Sequence, residues 1–306
     1  MMTAQKSKKR DVDGWLIIDK PAGITSTGVV NKTKWLFKAK KAGHAGTLDP
    51  DATGLLAVAF GEATKTIPYI MDGLKTYNFV VTLGASTTTD DAEGDIIESR
   101  AQRPSDDDIR MALPDFTGLI TQTPPKFSAV KIDGERAYTV ARRGDDVTLA
   151  SRALFVNKLE FVTRISIDEV ELTMQCGKGG YVRSIARDLG ETLDCLGHIK
   201  WLRRLDTGPF DLDQSVKLDG IEALENITDR DALLLPIEAG LTELEHVTIT
   251  GQAANDIQHG MSVPVNTDPS GPDIPVWANH DGKAQAIGVV EHGTFKPKRV
   301  ILQRNP

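Results

Sequence analysis

The chain is poor in the residues that sulfur and metal chemistry need. Its 306 residues include two cysteines, Cys176 and Cys195, which make no CxxC pair, and no histidine cluster beside them has zinc spacing. No metal is expected, and a reduced, cytoplasmic setting is. Long apolar runs are missing too. "LLAVAF" is one of the longest, far short of the roughly 20 residues that span a bilayer. The basic opening "MMTAQKSKKRDVDGW" is not followed by an apolar segment of signal-peptide length, so residues 1–13 are expected to be a flexible, solvated terminus. Nor is there an excess of positive charge. The net charge of −7 argues weakly against a protein coated in nucleic acid, although a local groove can carry the opposite sign. What is present is ordinary for a folded chain: 40% hydrophobic and 26% charged residues, enough for one large domain or two unequal ones.

Along the chain, "GWLIIDKPAGITS" predicts a short buried strand broken by Pro21 and Gly23, with Ser26 as the cap of a lysine-bearing helix. "GLLAVAFG" predicts a buried strand, "EATKTIPYIM" a short helix, "KTYNFVVTLG" another strand and "ASTTTDDAEGD" a polar loop. Residues 105–117 read as a helix capped by Ser105, and "ERAYTVARRG" as a basic amphipathic helix ended by Gly144. Two strand-rich segments follow, "ALFVNKLEFVTR" and "EVELTMQCGKGGYV". Next come a helix with Ile185, Leu189, Leu193 and Leu196 on one face and a strand in "HIKWLRRLDTGPF". From about residue 244 the texture changes to a compact, strand-rich tail with several Pro and Gly, predicting a small barrel-like domain. Strands and helices are interspersed without strict βαβα alternation, so the expected class is α+β.

One stretch, "AGHAGTLDPDATGLLAVAFGEATK", carries competing chemical readings. Asp49, Asp51, Thr53 and Gly54 mimic the start of a calcium loop, yet position 5 is Thr53 and position 12 is Phe60 rather than the required acids. The phosphate-loop pattern fails as well, because Leu55 follows Gly54 where a lysine is needed. Asp49 is left in a turn between Gly46 and Pro50. It either caps that turn or displays a reactive carboxylate, and the residues alone leave both open.

The same stretch resembles the signature motif of the TruB family of tRNA pseudouridine synthases, in which the aspartate of G-x-L-D-P is essential. "DKPAGITS", "KTYNFVVTLG", "TDDAEGDI", "KFSAVKIDGERAYTVARRG", "CGKGGYVR" and "LRRL" follow the family's blocks in order, over roughly residues 14–243. The resemblance implies an α+β pseudouridine synthase fold, with a central mixed, largely antiparallel sheet flanked by helices. It implies a catalytic domain over 14–243, and the tail at 244–306 is similar to a small RNA-binding PUA domain. The implied reaction isomerises the uridine at position 55 in the T-loop of tRNA, with no cofactor and no metal, since no atom or electron is exchanged. Asp49 would act at the sugar, either attacking it or removing a ribose proton, and Arg183 would be its cationic partner. Tyr77 would stack on the base and share in the C5 proton transfer, with Tyr181 and Leu202 lining the pocket. His44 would fill the space left by extruded bases, and Lys20 and Pro21 would support the floor. Base flipping is implied, because a stacked uridine cannot reach Asp49.

Cations recur at Lys131, Arg136, Arg142, Arg143, Arg152, Lys178, Arg187, Lys200, Arg203 and Arg204, and lysines concentrate at 32–41. Acidic residues lie between many of them, so a positive channel requires the fold to gather them. The prolines and arginines of 124–152 mark that segment as a candidate lid over the RNA, and a monomer is the default expectation. A non-catalytic RNA-binding protein is the first rival. The second is a nucleosidase or glycosidase, which needs a second, acid-forming carboxylate, and the motif blocks offer none.

Overall fold

The computed structural model describes residues 9–303 apart from 129, 133, 144, 146, 147, 267–270 and 272. The start of the basic terminus and Gly144 therefore lie outside the described residues. The chain divides into two units: one holds residues up to Pro50, Leu55–Met71 and everything from Gly208 on, and the other holds Asp51–Gly54 and Asp72–Thr207.

In the first unit, strand β1 (Gly14–Lys20) is followed by helix α1 (Ser26–Leu36), strand β2 (Ala42–His44) and strand β3 (Thr53–Phe60), whose first two residues belong to the other unit. β1 lies beside β3 and pairs in parallel with Val216–Lys217, and β2 runs antiparallel to β3. The apolar runs are continuous because both faces of β1 and β3 are covered. Leu16, Ile18, Leu56, Val58 and Phe60 face α1 through Val29, Val30 and Leu36, while Trp15, Ile17, Leu55, Ala57 and Ala59 pack with Ile70 and Phe210. The helix cap is one residue earlier than expected. Thr25 caps α1 by accepting from the Gly28 N–H, which leaves the Ser26 hydroxyl for another task.

The tail of this unit curls five strands in the order His246–Thr248, Val276–His280, Lys283–Glu291, Thr294–Val300, Val263–Pro264 around Val247, Ile257, Val276, Val290 and Phe295. It is tied to the rest of the unit by the Leu302 N–H donating to Glu62 (2.8 Å) and by Lys65 donating to the Val300 carbonyl (2.7 Å).

The second unit is built on five antiparallel neighbours in the order Gly197–Thr207, β4 (Lys75–Leu83), Glu169–Cys176, Arg152–Ser166, Gly118–Gln122. Helix Val182–Thr192 buries Val182, Ile185 and Leu189. It ends before Leu193 and Leu196, which the periodicity had put on its face, and Leu196 turns away at φ 63°. The Ser105 cap holds as a reciprocal box with Asp108 at the start of Asp106–Ala112. The polar loop after β4 instead contains a small hairpin, Ala85–Thr87 with Ile96–Ser99. Among the described residues, no helix is long and apolar enough to cross a membrane.

Candidate active site

The loop that follows β2 is held at two points in the first unit. Ser26 Oγ accepts from the Leu48 N–H (2.8 Å) and donates to the Leu48 carbonyl (2.9 Å), so one hydroxyl satisfies both polar groups of a buried residue. Two residues later, the Pro50 carbonyl accepts from Lys20 Nζ (2.7 Å) and from the Gly23 N–H (3.0 Å). Lys20 is wholly buried at the end of β1, and its ammonium also donates to the Pro21 carbonyl (2.8 Å). A buried ammonium must be matched by acceptors, and two carbonyls supply them. Asp49 stands between these fixed neighbours and is half-buried, while Pro50 and Pro21 are exposed. His44 is half-buried on β2, opposite Val58. Lys20, Pro21 and Asp49 are thus brought together in the first unit, with His44 on the adjoining strand.

Gly54, which had looked like a calcium-loop glycine, has a different task in the second unit. At φ +95° a Cβ there would lie 2.2 Å from the Arg204 carbonyl oxygen, because Thr53 and Gly54 pair in parallel with Arg203 and Arg204. Thr53 Oγ1 donates to the Leu202 carbonyl (3.2 Å), reinforcing that close approach.

On β4, Tyr77 is opposite Arg204 and Phe79 is opposite Leu202. Tyr77 and Leu202 therefore share one face of the sheet as diagonal neighbours. Tyr77 is buried and its phenol is hydrogen-bonded by the equally buried Arg204 guanidinium. Burial pushes the phenol pKa up, and the Arg204 charge and hydrogen bond pull it only partly back. Burial also lowers the Arg204 pKa, against the opposing pull of Tyr77 and Asp206.

Tyr181 and Arg183 sit at the start of the helix in the same unit. The Gln122 side chain brackets the Tyr181 backbone, donating to its carbonyl (3.1 Å) and accepting from its N–H (2.9 Å). The Tyr181 ring packs against a small cluster around Val130 and Ala137. Arg183 is buried. It donates to the carbonyls of Thr89 (3.0 Å) and Phe127 (3.0 Å) and lies 3.4 Å from the Asp91 carboxylate. A plain surface arginine near a helix start is excluded. Asp90 beside it is paired with Arg187 (2.9 Å), and burial raises the Asp90 pKa despite that pair.

No group of three or more His, Cys, Asp or Glu among the described residues could hold a metal ion. The N-terminal domain of TruB family pseudouridylate synthases matches residues 34–182, and the tRNA pseudouridylate synthase B C-terminal domain matches 183–242. The chain belongs to the TruB family of tRNA pseudouridine synthases. It is accordingly an isomerase. The tRNA pseudouridine synthase B of Ruegeria sp. (strain TM1040) is 54% identical over 299 residues, covering 98% of this chain and 99% of that protein. That of Ruegeria pomeroyi is 52% identical over 300 residues, again 98% and 99% of the two. Among solved structures, a Cbf5-Nop10-Gar1 complex contains a chain that superposes with a TM-score of 0.74 at 24% identity, covering 94% of this chain and 85% of that one. At that identity it bears on the fold, which is the mixed α+β fold of pseudouridine synthases.

Two residues, Arg204 and Ser26, are not singled out as site residues by the sequence. Arg204 had been counted only among scattered cations, although strand alternation puts it on the Leu202 face. An arginine on a buried sheet face needs a partner, and that signal leads to Tyr77. Ser26 had been read as a helix cap, and no local pattern points to Leu48.

Proposed function

We propose that this TruB-family chain converts the uridine at position 55 of the tRNA T-loop to pseudouridine, with Asp49 as the carboxylate acting at the ribose. The N1–C1′ bond breaks, the freed uracil turns in place, and C5 bonds to C1′ while the C5 proton leaves and a proton returns to N1. Substrate and product have the same atoms and the same oxidation level, so the reaction needs no cofactor and no metal. Cleavage builds positive charge at C1′, which a fixed anion stabilises. Asp49 acts either by attacking C1′ or by taking the 2′ proton.

The observation that carries this reading is the two-sided clamp on Asp49. Leu48 is held by Ser26 and Pro50 by Lys20, so the carboxylate is presented from a backbone that does not need to reorganise during reaction. Arg183 is assigned as the cation that keeps Asp49 ionised, and its buried guanidinium fits a role beyond a surface charge. Tyr77 stacks on the base and shares in the C5 proton transfer. Its raised pKa keeps the phenol protonated at neutral pH, so the hydroxyl acts with its proton in place or through a basic neighbour. Tyr181 and Leu202 line the pocket, Lys20 and Pro21 form its floor, and His44 occupies the space left by the flipped base. Flipping costs a few kcal/mol, part of which that imidazole offsets.

We assign residues 14–243 to catalysis and 244–306 to a PUA-like RNA-binding domain, in a cytoplasmic monomer. The segment 124–152 is assigned as a lid, of which residues 129, 133, 144, 146 and 147 lie outside the described residues. Tyr181 packing on its Val130–Ala137 cluster and Arg183 donating to its Phe127 carbonyl give it two attachments to the candidate site. Protease cleavage within 124–152 should slow when tRNA is bound, and an unchanged rate refutes the lid.

The reaction is tested by incubating the chain with a T-arm transcript and analysing the nucleosides. Pseudouridine only at position 55 supports the proposal. Binding without product would make the chain an RNA-binding protein alone, and free uracil would make it a nucleosidase.

A further inference from the structure

We infer that the exposed face of α1 and the turn after it form a second RNA-contacting surface, built around Trp35. This inference rests on the proposed action on tRNA. Trp35 is 76% exposed, an unusual place for an indole when the apolar positions of the helix, Val29, Val30 and Leu36, are buried. Asn31, Lys34 and Trp35 recur at helical spacing along this side, and Lys38 follows, exposed, in the turn after the helix. Between Ser26 and His44 the chain has five lysines and no acid, within a protein whose net charge is −7.

The charges here are not all spent. Lys32 is paired with Glu222, and Lys40 with Asp11 (2.6 Å). Among the described residues, the side chains of Lys34, Lys38 and Lys41 make no ion pair. At the C-terminal end of the helix, Arg230 donates to the Leu36 carbonyl (3.0 Å) and to the carbonyls of Ile221 and Leu224, with no carboxylate partner among the described residues. Lys34 adjoins an exposed indole in the chain, Lys38 and Lys41 follow it, and Arg230 stands at the end of the same helix. A polyanion with planar bases matches that chemistry: the lysines take backbone phosphates, and the indole offers a π face to an unpaired or terminal base.

Position along the helix supports a role beside the reaction. Ser26, at the first turn, is the residue that clamps Leu48 next to Asp49. Trp35 is nine residues farther along, about 14 Å at the helical rise. The face can therefore hold RNA flanking the target nucleotide without touching the reacting atoms.

The test uses the full chain and a tRNA transcript, measuring the dissociation constant over a salt series and the single-turnover rate at saturating RNA. Lys34→Glu/Lys38→Glu should weaken binding about tenfold or more and flatten the salt slope by roughly one to two, since each lost phosphate contact removes about 0.7–0.9. Trp35→Ala should weaken binding by about 5- to 10-fold, and Trp35→Tyr should restore most of it. The saturated rate should equal that of the wild type in every variant. Should the charge reversal lower the melting temperature, Lys34→Gln/Lys38→Gln removes the same two contacts and gives the same direction with a change in slope of about 1.4–1.8. Unchanged tRNA affinity and slope in both double variants overturn the inference. So does a loss of binding to phosphatidylserine vesicles with tRNA affinity intact. A wild type that binds tRNA and makes no pseudouridine refutes the proposed reaction instead, and the affinity series still decides the face.

Discussion

Ser26→Ala separates a clamp from a cap. The hydroxyl serves both the N–H and the carbonyl of Leu48, at 2.8 and 2.9 Å, and both residues are buried. Removing it leaves two buried polar groups without a partner, each costing about 1–3 kcal/mol. Partial relaxation of the loop brings the expected loss to about 2–4 kcal/mol. That relaxation displaces the residue that follows, Asp49. A displacement of about 1 Å in a catalytic group costs on the order of 100-fold in rate. Chemical denaturation should therefore show the stability loss. Single-turnover pseudouridine formation at saturating tRNA should slow by about 10- to 100-fold, with affinity changed less than about threefold. Thr25→Ala is the contrast. It removes the true helix cap, costs about 1 kcal/mol, and leaves the rate alone. If Ser26→Ala unfolds at the wild-type midpoint and reacts at the wild-type rate, the clamp has no role.

Gly54→Ala places a methyl 2.2 Å from the Arg204 carbonyl at a positive φ, so it should cost about 3 kcal/mol or more by denaturation; a loss below about 1 kcal/mol would show that the strands move apart freely. Tyr77, raised by burial, should ionise above the ordinary tyrosine range in an ultraviolet titration, and Tyr138, lowered by Arg136, below it. Because the folded phenol of Tyr77 holds its proton more tightly than the unfolded one, its contribution to stability is full below about pH 10 and is lost as pH rises through the folded pKa. Tyr77→Phe should remove that alkaline component, and a variant with an unchanged alkaline limb contradicts the assignment.

The buried strands were legible because "GWLIID" and "LLAVAF" each need both faces covered, which marks strands inside a layered fold. The Ser105 helix start was legible because its capping box lies within four residues. What stayed hidden depends on distant partners. Thr25 and Ser26 are both good caps on local grounds, and only the return of the chain at Leu48 decides between them. The calcium reading of Gly54 fails on the letters alone, but its actual task shows only where the strand Gly197–Thr207 lies against it. The Tyr77–Arg204 pair joins residues more than a hundred positions apart, so no local pattern could pair them. The site residues came from the ordered family blocks, and their physical supports came from the fold.

The central claim is that the Asp49 carboxylate performs the chemistry, and Asp49→Asn tests it with nearly unchanged volume. Single-turnover pseudouridine formation on a saturating T-arm transcript should fall to the background, while the melting temperature and the affinity for the transcript stay close to the wild type. Pseudouridine formed by Asp49→Asn at a rate within about tenfold of the wild type would contradict the account and return Asp49 to the role of a turn residue.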